Sequence, residues 1–474
     1  MSEPLCTYAG DLLALSRVHQ RDLYAHTAQD VEAYRLAELK ARFDELQPRV
    51  GALRKLAQLQ GVSRIDSLDD AAPLLFQHTV YKSYPMAFLE KGRFDALTKW
   101  FGQLTAHDLS KVDASGCKFV DEWLLLLQNT TPLKPIHTTG TSGKLSFLPR
   151  SHRDWKLQSR FTMTRWQGVG NERDIVLDLD EPSFRIPIIQ PGYRYGFYMA
   201  QRLMEEQLGL IGHDDLVETL FKDEVLSPDV LSLSGRVATA QARGELEQLV
   251  ISPELLARFK DNQEKQANKQ TLDAEFFDRV VMRFAGQRVL IGNTVPQLYA
   301  WAAEGKRRGI TGLFAPDSLI SSGGGLKGQT LPDDWREQID EVVGAPALLA
   351  YGMSELCSMA NMCSHGHYHV PPYLIPYLLD ENTGQRLPRR GRQTGRAAFM
   401  DLMPDSYWGG FVTGDEITVD WDGNCPCGRK GEYIMPEIRR FTDKNGSDDK
   451  ISCAGAPDAQ EKAMEYLSRI VERA

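Results

Sequence analysis

The sequence lacks an apolar run long enough to span a membrane, because no stretch approaches about 18 apolar residues. Its start, Met1 to Asp11, has neither a basic beginning nor an apolar segment, so we expect no secretory signal. Positive charge is also scarce, since 55 Lys and Arg residues stand against 64 Asp and Glu residues, a net charge of −9. This balance argues against general nucleic-acid binding, which depends on clustered basic residues. We therefore expect a cytoplasmic protein that acts on a small molecule, with no nucleic-acid or membrane partner.

Cysteine is sparse, with seven residues in a chain of 474. The count is odd, and four of the seven lie between Cys357 and Cys427. This distribution is typical of a reduced protein with a local metal or thiol site, and not of a disulfide framework. With 42% hydrophobic residues, a chain of this length can bury one large core and carry an appendage.

A loop rich in glycine and hydroxyl side chains lies within Ile136 to Arg150. Its glycines allow backbone N–H groups to turn inward and form an anion-binding concavity, to which hydroxyl donors and a lysine charge are added. The residues concerned are Thr138, Thr139, Gly140, Thr141, Ser142, Gly143 and Lys144. Because the spacing differs from that of a P-loop, an ordinary polar turn is the alternative. The loop indicates a phosphate site only in combination with other motifs.

Between Asp273 and Glu355 the pattern alternates between helix and strand, which indicates parallel strands with crossover helices. The predicted helices cover 273–285 with Asp273 as N-cap and Gly286 as stop, 295–305 and 333–343, and the predicted strands cover 288–291, 311–313 with a resumption at 318–321, and 345–351. Ligands of such sheets bind beyond the carboxyl ends of strands. Two motifs stand at such ends, SSGGGLKG at 321–328 and YGMSE at 351–355.

The flanking regions are simpler. Residues 27–59 predict amphipathic helices, and residues 174–179 predict a strand. From His369 onward, strand-like runs at 395–402, 411–412 and 416–421 indicate a β-rich region. Between the last two runs, Thr413-Gly414-Asp415 is predicted to form a turn that carries an acid.

Four motifs in this order, TTGTSGK, SGGG, YGMSE and TGD, resemble those of the adenylate-forming superfamily of acyl-CoA synthetases, adenylation domains and luciferases. Within it, the chain is most similar to the phenylacetate–CoA ligase branch and to the acyl-protein synthetase of bacterial luminescence. The resemblance covers roughly 132–450, about two thirds of the chain. It implies an α/β fold with parallel-rich sheets, crossover helices and a β-rich subdomain. The implied parts are a helix-rich segment (1–131), a nucleotide- and substrate-binding core (132–370), a β-rich subdomain with a zinc site (371–436) and a vestigial hinge and tail (437–474).

The resemblance also implies roles for individual residues. The glycine-rich loop would hold the β- and γ-phosphates of ATP, Glu355 would bind Mg²⁺, and Asp415 would accept hydrogen bonds from the ribose. Lys144, Glu355 and Arg440 would be the catalytic residues, with Arg439 as the alternative to Arg440. The residues implied near adenine are Ser322, Gly323, Gly324, Gly325, Tyr351, Gly352, Met353 and Ser354. Taken alone, Glu355 could equally be an acid at a helix start, and Asp415 a turn-former.

The implied reaction is ATP-dependent activation of an aryl or fatty acid as its acyl-adenylate, with release of pyrophosphate. The later acceptor would be a thiol, an amine or an acceptor protein. The alternatives are a nucleotide-binding partner subunit with reduced catalysis, or an adenylate-forming enzyme that uses an amine or an inorganic acid. The sequence identifies neither the acid nor the oligomeric state.

A second group of residues indicates zinc. Cys363 and His369 have five residues between them, and Cys425 and Cys427 supply two more sulfurs. Thiolate and imidazole ligands, one pair from each of two loops, suit tetrahedral zinc, and a closed set of four indicates a structural role. Similar sites occur in the phenylacetate–CoA ligase branch. Scattered core cysteines are the alternative, and the nearby competitors are Cys357, His365 and His367.

The tail departs from the superfamily pattern. The superfamily continues past a hinge into a mobile C-terminal domain of about a hundred residues, whereas here 25 residues follow Asp449, and Gly446 takes the place of the hinge arginine. We therefore expect a truncated C-terminal domain, with acyl-AMP formation retained and thioester formation reduced. Cys453 is a candidate acyl acceptor by similarity to the luminescence synthetases, although an inert thiol is the alternative.

Overall fold

The protein is described here by a computed structural model. The structure describes residues 3–138, 143–167, 178–180, 185–249, 251–323 and 330–441. Within these ranges, no helix combines the length and the apolar character that a membrane crossing requires.

The first part of the chain is built from helices. They are α1 (Leu12–Leu15), α2 (Gln20–Leu23), α3 (Ala28–Leu46), α4 (Gly51–Gln60), α5 (Ala87–Glu90), α6 (Phe94–Phe101) and α7 (Val120–Thr130), with 3-10 helices at Leu5–Tyr8, Leu68–Leu74 and His78–Lys82 and a short strand β1 (Phe76–Gln77). Thr27 begins α3 with a capping box, because its hydroxyl accepts the Asp30 N–H and the Asp30 carboxylate accepts the Thr27 N–H in return. Gly61, at a φ of +69°, ends α4 in the left-handed conformation that glycine adopts readily.

Helices and strands then alternate. They are β2 (Ile136–His137), β3 (Phe147–Leu148), α8 (His152–Thr164), β4 (Ile188–Gly196), α9 (Met199–Ile211), β5 (Val217–Leu226), α10 (Pro228–Arg243), α11 (Pro253–Ala267), α12 (Lys269–Phe284), β6 (Leu290–Thr294), α13 (Val295–Arg307), β7 (Leu319–Gly323), α14 (Trp335–Val343) and β8 (Ala347–Tyr351), with 3-10 helices at Asp214–Leu216 and Leu246–Gln248. Proline stands in the first turn of α10, α11 and α13, where its missing N–H costs no hydrogen bond.

The last described part is made of strands. They are β9 (Ala360–Met362), β10 (Tyr368–His369), β11 (Leu374–Leu379), β12 (Arg392–Asp401), β13 (Gly410–Asp420), β14 (Tyr433–Ile434) and β15 (Arg439–Arg440).

One large sheet connects the last two parts. Strands β5, β4, β6, β7 and β8 lie side by side, and each neighbouring pair is parallel. Beyond β8 the order is β9, β10, β14, β13, β12 and β11, with antiparallel pairs. Strands β1 and β15 both pair with β13, and β2 and β3 form a separate hairpin. The predicted α/β class, with parallel strands and crossover helices beside a β-rich part, is confirmed.

The parallel half of the sheet is buried on both faces. On one face Ile291 and Ile320 pack with apolar side chains of α12, α13 and α14, and on the other Leu290 and Leu319 pack with α8 and α9. Successive residues of a strand point to opposite faces, so such strands are apolar throughout. A third and larger core joins the N-terminal helices to the antiparallel strands.

Some predicted elements differ from the structure. Residues 311–313 form no strand, and the predicted resumption is the strand, β7. Helix α12 begins at Lys269 after Asn268, so Asp273 lies inside the helix and is not its N-cap. Most of the strand predicted at 174–179 lies outside the described residues, and Asp178 and Leu179 are not in a strand.

The predicted turn at Thr413-Gly414-Asp415 is wrong, because β13 continues through it. The register between β12 and β13 shifts at this point, so that residues 413–415 lie opposite Ala397 alone. The Thr413 hydroxyl donates to the Ala397 carbonyl and accepts the Asp415 N–H. These bonds replace the interrupted ladder, so the sequence forms a bulge within one strand.

Candidate functional site

Three of the residues predicted near adenine, Ser322, Gly323 and Tyr351, lie at the carboxyl ends of parallel strands. Ser322 and Gly323 end β7, and Ser322 is in register with Asn293 of β6 and Leu349 of β8. The Ser322 hydroxyl and the Asn293 amide nitrogen are buried and form no hydrogen bond with any described residue. Because an unsatisfied buried polar group costs free energy, these two groups fit a polar ligand. Gly324 and Gly325 lie outside the described residues.

The glycine-rich loop joins β2 to β3. The Thr138 N–H donates to the Ser146 carbonyl at 3.0 Å, and the Ser146 N–H donates to the Thr138 hydroxyl, also at 3.0 Å. These bonds close the base of the loop. Four of the predicted phosphate-binding residues, Thr139, Gly140, Thr141 and Ser142, lie outside the described residues.

Helix α10 packs against the second glycine of the loop. Gly143 has a φ of +85°, and its carbonyl accepts the Ser232 hydroxyl at 2.6 Å. A Cβ atom added to Gly143 would lie 2.7 Å from the Arg236 backbone nitrogen and 2.6 Å from its Cγ. Glycine is therefore required at this position for both backbone conformation and space.

If the loop binds phosphate as the sequence predicts, Gly143→Ala should weaken ATP binding about tenfold or more. The added methyl group would be strained at this positive φ and would collide with α10, so the loop would be displaced. Calorimetric titration with ATP measures the effect. Gly116→Ala is the control, since no atom lies within 4 Å of a Cβ added there. Equal affinity of the Gly143 variant and the unaltered protein would contradict a role of this loop in binding.

Lys144 lies beside the aromatic ring of Tyr84, with its Nζ 5.1 Å from the ring centroid. The Tyr84 hydroxyl donates to the Leu145 carbonyl at 2.8 Å, which fixes the ring against the loop. Burial lowers the pKa of the Lys144 ammonium, and the charge of Lys82 lowers it further. Two positive charges thus meet at the loop, an arrangement that an anionic ligand would stabilise.

Tyr351, Asp415 and Arg440 form one hydrogen-bonded group. The Tyr351 hydroxyl donates to Asp415 Oδ2 at 2.9 Å, and Arg440 Nε lies 2.8 Å from Asp415 Oδ1. Asp415 and Arg440 face each other across β13 and β15. Burial and the Asp415 carboxylate raise the pKa of Tyr351 well above its ordinary value. Tyr351 is 9% exposed, and its ring centroid lies 5.9 Å from that of Phe399 and 6.3 Å from that of Tyr368.

Glu355 is half-buried. Burial raises the pKa of its carboxyl, and Arg440, Arg150 and Lys82 act in the opposite direction. The residues that link it to Tyr351 are Gly352, Met353 and Ser354. At Gly352 an added Cβ would lie 2.9 Å from Met359 Cγ, so the chain passes close to its neighbour there. A carboxylate in this position is a suitable ligand for a hard cation such as Mg²⁺.

Several residues of this site were not predicted. Asn293 and His137 provide buried polar atoms, and Arg150, Asp401 and Tyr407 bind the backbone around Glu355. His137 donates from Nδ1 to the Thr138 carbonyl at 2.9 Å, and burial lowers its pKa to about 4, so its Nε2 is an unprotonated acceptor. No local motif marks these positions, although Arg150 ends the glycine-rich stretch.

The four predicted zinc ligands lie together. The ligand atoms of Cys363, His369, Cys425 and Cys427 are all within 4.8 Å of one another. Cys363 Sγ and Cys425 Sγ are 3.8 Å apart, and Cys427 Sγ is 3.2 Å from His369 Nε2. Two sulfurs bound to one tetrahedral zinc at about 2.3 Å would be separated by about 3.8 Å. The donor set and its spacing therefore fit this ion.

Burial shifts the pKa values of these ligands. It raises the pKa of Cys425 to about 12 and also raises that of Cys427. For His369, burial and the charges of Arg429 and His367 lower the pKa to about 3, so the imidazole is neutral. Neutral imidazole is the form that binds metals.

Two tight turns present the cluster. The Cys363 carbonyl accepts the Gly366 N–H, and the Cys425 carbonyl accepts the Gly428 N–H at 3.1 Å. Of the competing residues, His365 is exposed and Cys357 lies under the YGMSE segment, where its N–H donates to Asp401. His367 is closer, with Nδ1 3.3 Å from Cys425 Sγ, and its ring stacks on that of Tyr433.

Comparisons with known proteins gave structural similarity only. No family model and no curated protein matches the sequence. The chain is similar to a solved open conformation of 2-hydroxyisobutyryl-CoA ligase in complex with 2-HIB-AMP and CoA, at a TM-score of 0.49 and 12% identity over 88% of this chain and 71% of that chain. It is also similar to ATP-bound MatB from Rhodopseudomonas palustris, at a TM-score of 0.34 and 15% identity over 64% of this chain and 47% of that chain. At such scores, function is inferred from the residues of the site themselves.

Proposed function

We propose that the protein uses ATP to activate a carboxylic acid as its acyl-adenylate, with release of pyrophosphate. The observation that carries the proposal is the hydrogen-bonded group of Tyr351, Asp415 and Arg440 at the end of β8, with the Glu355 carboxyl four residues further along the chain. The charges of Arg440 and Lys82 act on that carboxyl against the burial that raises its pKa. Mg²⁺-ATP requires a carboxylate to bind the metal, positively charged side chains to bind the phosphates and a second carboxylate to bind the ribose hydroxyls. The Ser322 hydroxyl and the Asn293 amide nitrogen, which bond to no described residue, would provide polar contacts to the nucleotide at neighbouring strand ends.

The substrate carboxylate would attack the α-phosphorus while the bond to the pyrophosphate oxygen breaks. Glu355 would hold the Mg²⁺, which when bound neutralises charge on the phosphate oxygens. Lys144, near Lys82, would orient the β- and γ-phosphates, and Arg440 would act on the charge that develops at the α-phosphate. No covalent enzyme intermediate is needed for this step. A thiol or an amine is the proposed acceptor of the acyl group.

We also propose a structural zinc ion held by Cys363, His369, Cys425 and Cys427. The support is the closed set of four ligand atoms within 4.8 Å of one another. A closed set leaves no position for a substrate. The loop that bears Cys425 and Cys427 contacts the N-terminal helices, since the Lys430 N–H donates to the Tyr24 carbonyl at 2.9 Å. Zinc would thus stabilise contacts between distant parts of the chain.

Pyrophosphate release from ATP in the presence of a panel of aryl and fatty acids tests the proposed reaction. Acid-dependent release together with acyl-AMP detected by mass spectrometry is the expected result. ATP binding without release for any acid would favour the second candidate, a nucleotide-binding partner subunit. Lack of both binding and release would contradict the proposal.

Asp415→Ala is expected to weaken ATP binding by about 1.5–3 kcal/mol, the range for hydrogen bonds to a charged group. The change also leaves the buried Tyr351 hydroxyl and the Arg440 guanidinium without their shared carboxylate. Calorimetry at saturating Mg²⁺ measures the loss. Asp420→Ala is the matched control, because Asp420 lies on the same strand as Asp415. Its carboxylate is 3.1 Å from Arg392 Nη2, and this pair does not include Tyr351 or Arg440. Equal losses in both variants would show that only strand stability is affected.

A further inference from the structure

The backbone on both sides of Glu355 is held by three side chains from distant parts of the chain. Arg150, at the end of the glycine-rich stretch, binds the carbonyls on either side of Glu355. Tyr407 binds the carbonyl of Glu355 itself, and Asp401 binds the N–H groups that follow. We refer to Arg150, Asp401 and Tyr407 as the backbone clamp.

Arg150 is fully buried, and it divides its hydrogen bonds between backbone carbonyls, bound by Nη2, and the side chain of Gln158, bound by Nη1. Its Nη2 donates to the Ser354 carbonyl at 2.7 Å and also to the Leu356 carbonyl. Its guanidinium lies over the ring of Trp155, 4.7 Å from the centroid. A buried guanidinium has a large desolvation cost, which an apolar residue of similar size would avoid. The two carbonyls that Arg150 binds belong to the residues before and after Glu355. The contact therefore fixes the direction in which the Glu355 side chain points from the backbone.

Tyr407 and Asp401 complete the clamp. The Tyr407 hydroxyl donates to the Glu355 carbonyl at 3.1 Å. Asp401, fully buried at the end of β12, accepts the Cys357 N–H at 2.6 Å and the Ser358 N–H at 2.8 Å. Three successive carbonyls and two N–H groups are therefore bound by side chains, in a segment that forms neither helix nor strand.

We propose that Arg150, Asp401 and Tyr407 are positioning residues that aim the Glu355 carboxylate at the metal bound with the nucleotide. This inference depends on the proposed function, since it assigns a purpose to the fixed backbone of the residue that would bind Mg²⁺. Mg²⁺ demands near-ideal geometry from its oxygen ligands, so a displaced carboxylate binds it less well. The clamp acts through backbone position and touches neither metal nor substrate.

Tyr407→Phe is the sharpest variant, because it removes only the hydroxyl that donates to the Glu355 carbonyl. Mn²⁺, used in place of Mg²⁺, is titrated by electron paramagnetic resonance into protein saturated with α,β-methylene-ATP. We expect the dissociation constant of Mn²⁺ to rise about three- to tenfold, the equivalent of one net hydrogen bond. Arg150→Lys keeps the charge but cannot bind both carbonyls from one planar group, and it should raise the constant further.

Tyr377→Phe is the matched control. Its buried hydroxyl also donates to a backbone carbonyl, that of Leu68 at 2.6 Å, so its loss costs comparable stability outside the clamp. Weaker Mn²⁺ binding in Tyr407→Phe alone supports the inference. Unchanged Mn²⁺ binding in Tyr407→Phe, or equal weakening in both variants, overturns the inference and leaves the proposed function intact. Absence of nucleotide-dependent Mn²⁺ binding in the unaltered protein overturns the proposed function and the inference together.

Discussion

Replacing Cys425 by serine is expected to remove bound zinc and to lower the melting temperature by about 5 °C or more. Structural zinc contributes on the order of 10 kcal/mol in small zinc-binding peptides, and in a larger chain a part of that contribution is enough for a shift of this size. The physical reason lies in the cluster itself. Cys425 is 7% exposed, and its Sγ is 3.8 Å from that of Cys363, so serine would leave a zinc site with three strong ligands in a buried position.

The expected loss of stability extends beyond the cluster, because the loop that bears Cys425 and Cys427 and the strand β10 contact the N-terminal helices. Arg35 of α3 donates to the carbonyls of Pro371 and Pro372 and pairs with Glu432 at 2.7 Å. The hydroxyl of Tyr24 is 3.5 Å from the His369 carbonyl. These contacts require the loop and β10 to keep their positions, which the zinc ion would hold. Metal loss should therefore loosen the N-terminal helices as well as the loop.

Metal analysis of protein purified without chelator, combined with thermal denaturation, measures both effects. One zinc ion per chain is expected in the unaltered protein, and much less in Cys425→Ser. Cys117→Ser serves as control, since Cys117 is a partly buried free thiol outside the cluster. A fully folded protein that contains no zinc, and whose melting temperature does not respond to a strong chelator, would contradict the site.

The order of elements from α12 to β8 could be predicted because each one carries a local pattern. The apolar spacing predicts helix α13 and strand β8. Gly286, at a φ of +74°, follows the end of α12 as expected. The strand predicted at 311–313 failed because apolar residues there fill a different role. Leu313 and Phe314 pack into the core beside the sheet, and their N–H groups bind the carbonyls of Val342 and Val343 at the end of α14. Local sequence cannot distinguish such a segment from a strand.

In the candidate site, too, some features could be predicted from the sequence and others could not. The zinc ligands could be proposed from residue type and spacing together with the resemblance to the phenylacetate–CoA ligase branch, because thiolates and imidazoles in pairs suit zinc. Spacing alone left Cys357, His365 and His367 as competitors. The bulge at Thr413-Gly414-Asp415 could not, since it depends on a register shift against β12 that only the paired sheet defines. The backbone clamp depends on contacts between positions separated by up to 206 residues. Arg150 looks in sequence like any basic residue after a loop.

Glu355→Gln is expected to lower the rate of acyl-adenylate formation about a hundredfold or more, while ATP binding weakens far less. Glutamine keeps the shape of the side chain and its contacts with the clamped backbone, but it removes the negative charge. The positive charges of Arg440, Arg150 and Lys82 would then remain around a neutral group. They can still attract the triphosphate, so binding is largely retained. The metal that would neutralise the departing pyrophosphate loses its carboxylate ligand. This loss should destabilise the transition state more than the complex with bound ATP, so the rate should fall more than the affinity.

Separate measurements of binding and turnover distinguish this expectation from general damage to the site. ATP affinity is measured by calorimetry without acid, and turnover by pyrophosphate release with the best acid of the panel. Glu355→Asp keeps the charge on a shorter side chain and should recover part of the activity as Mg²⁺ is raised, whereas Glu355→Gln should not. The exposed Glu437, changed to Gln, controls for loss of one negative charge elsewhere on the chain. Turnover of Glu355→Gln within a few-fold of the unaltered protein would rule out Glu355 as the metal ligand, because no arrangement of the surrounding arginine and lysine side chains can supply the missing carboxylate.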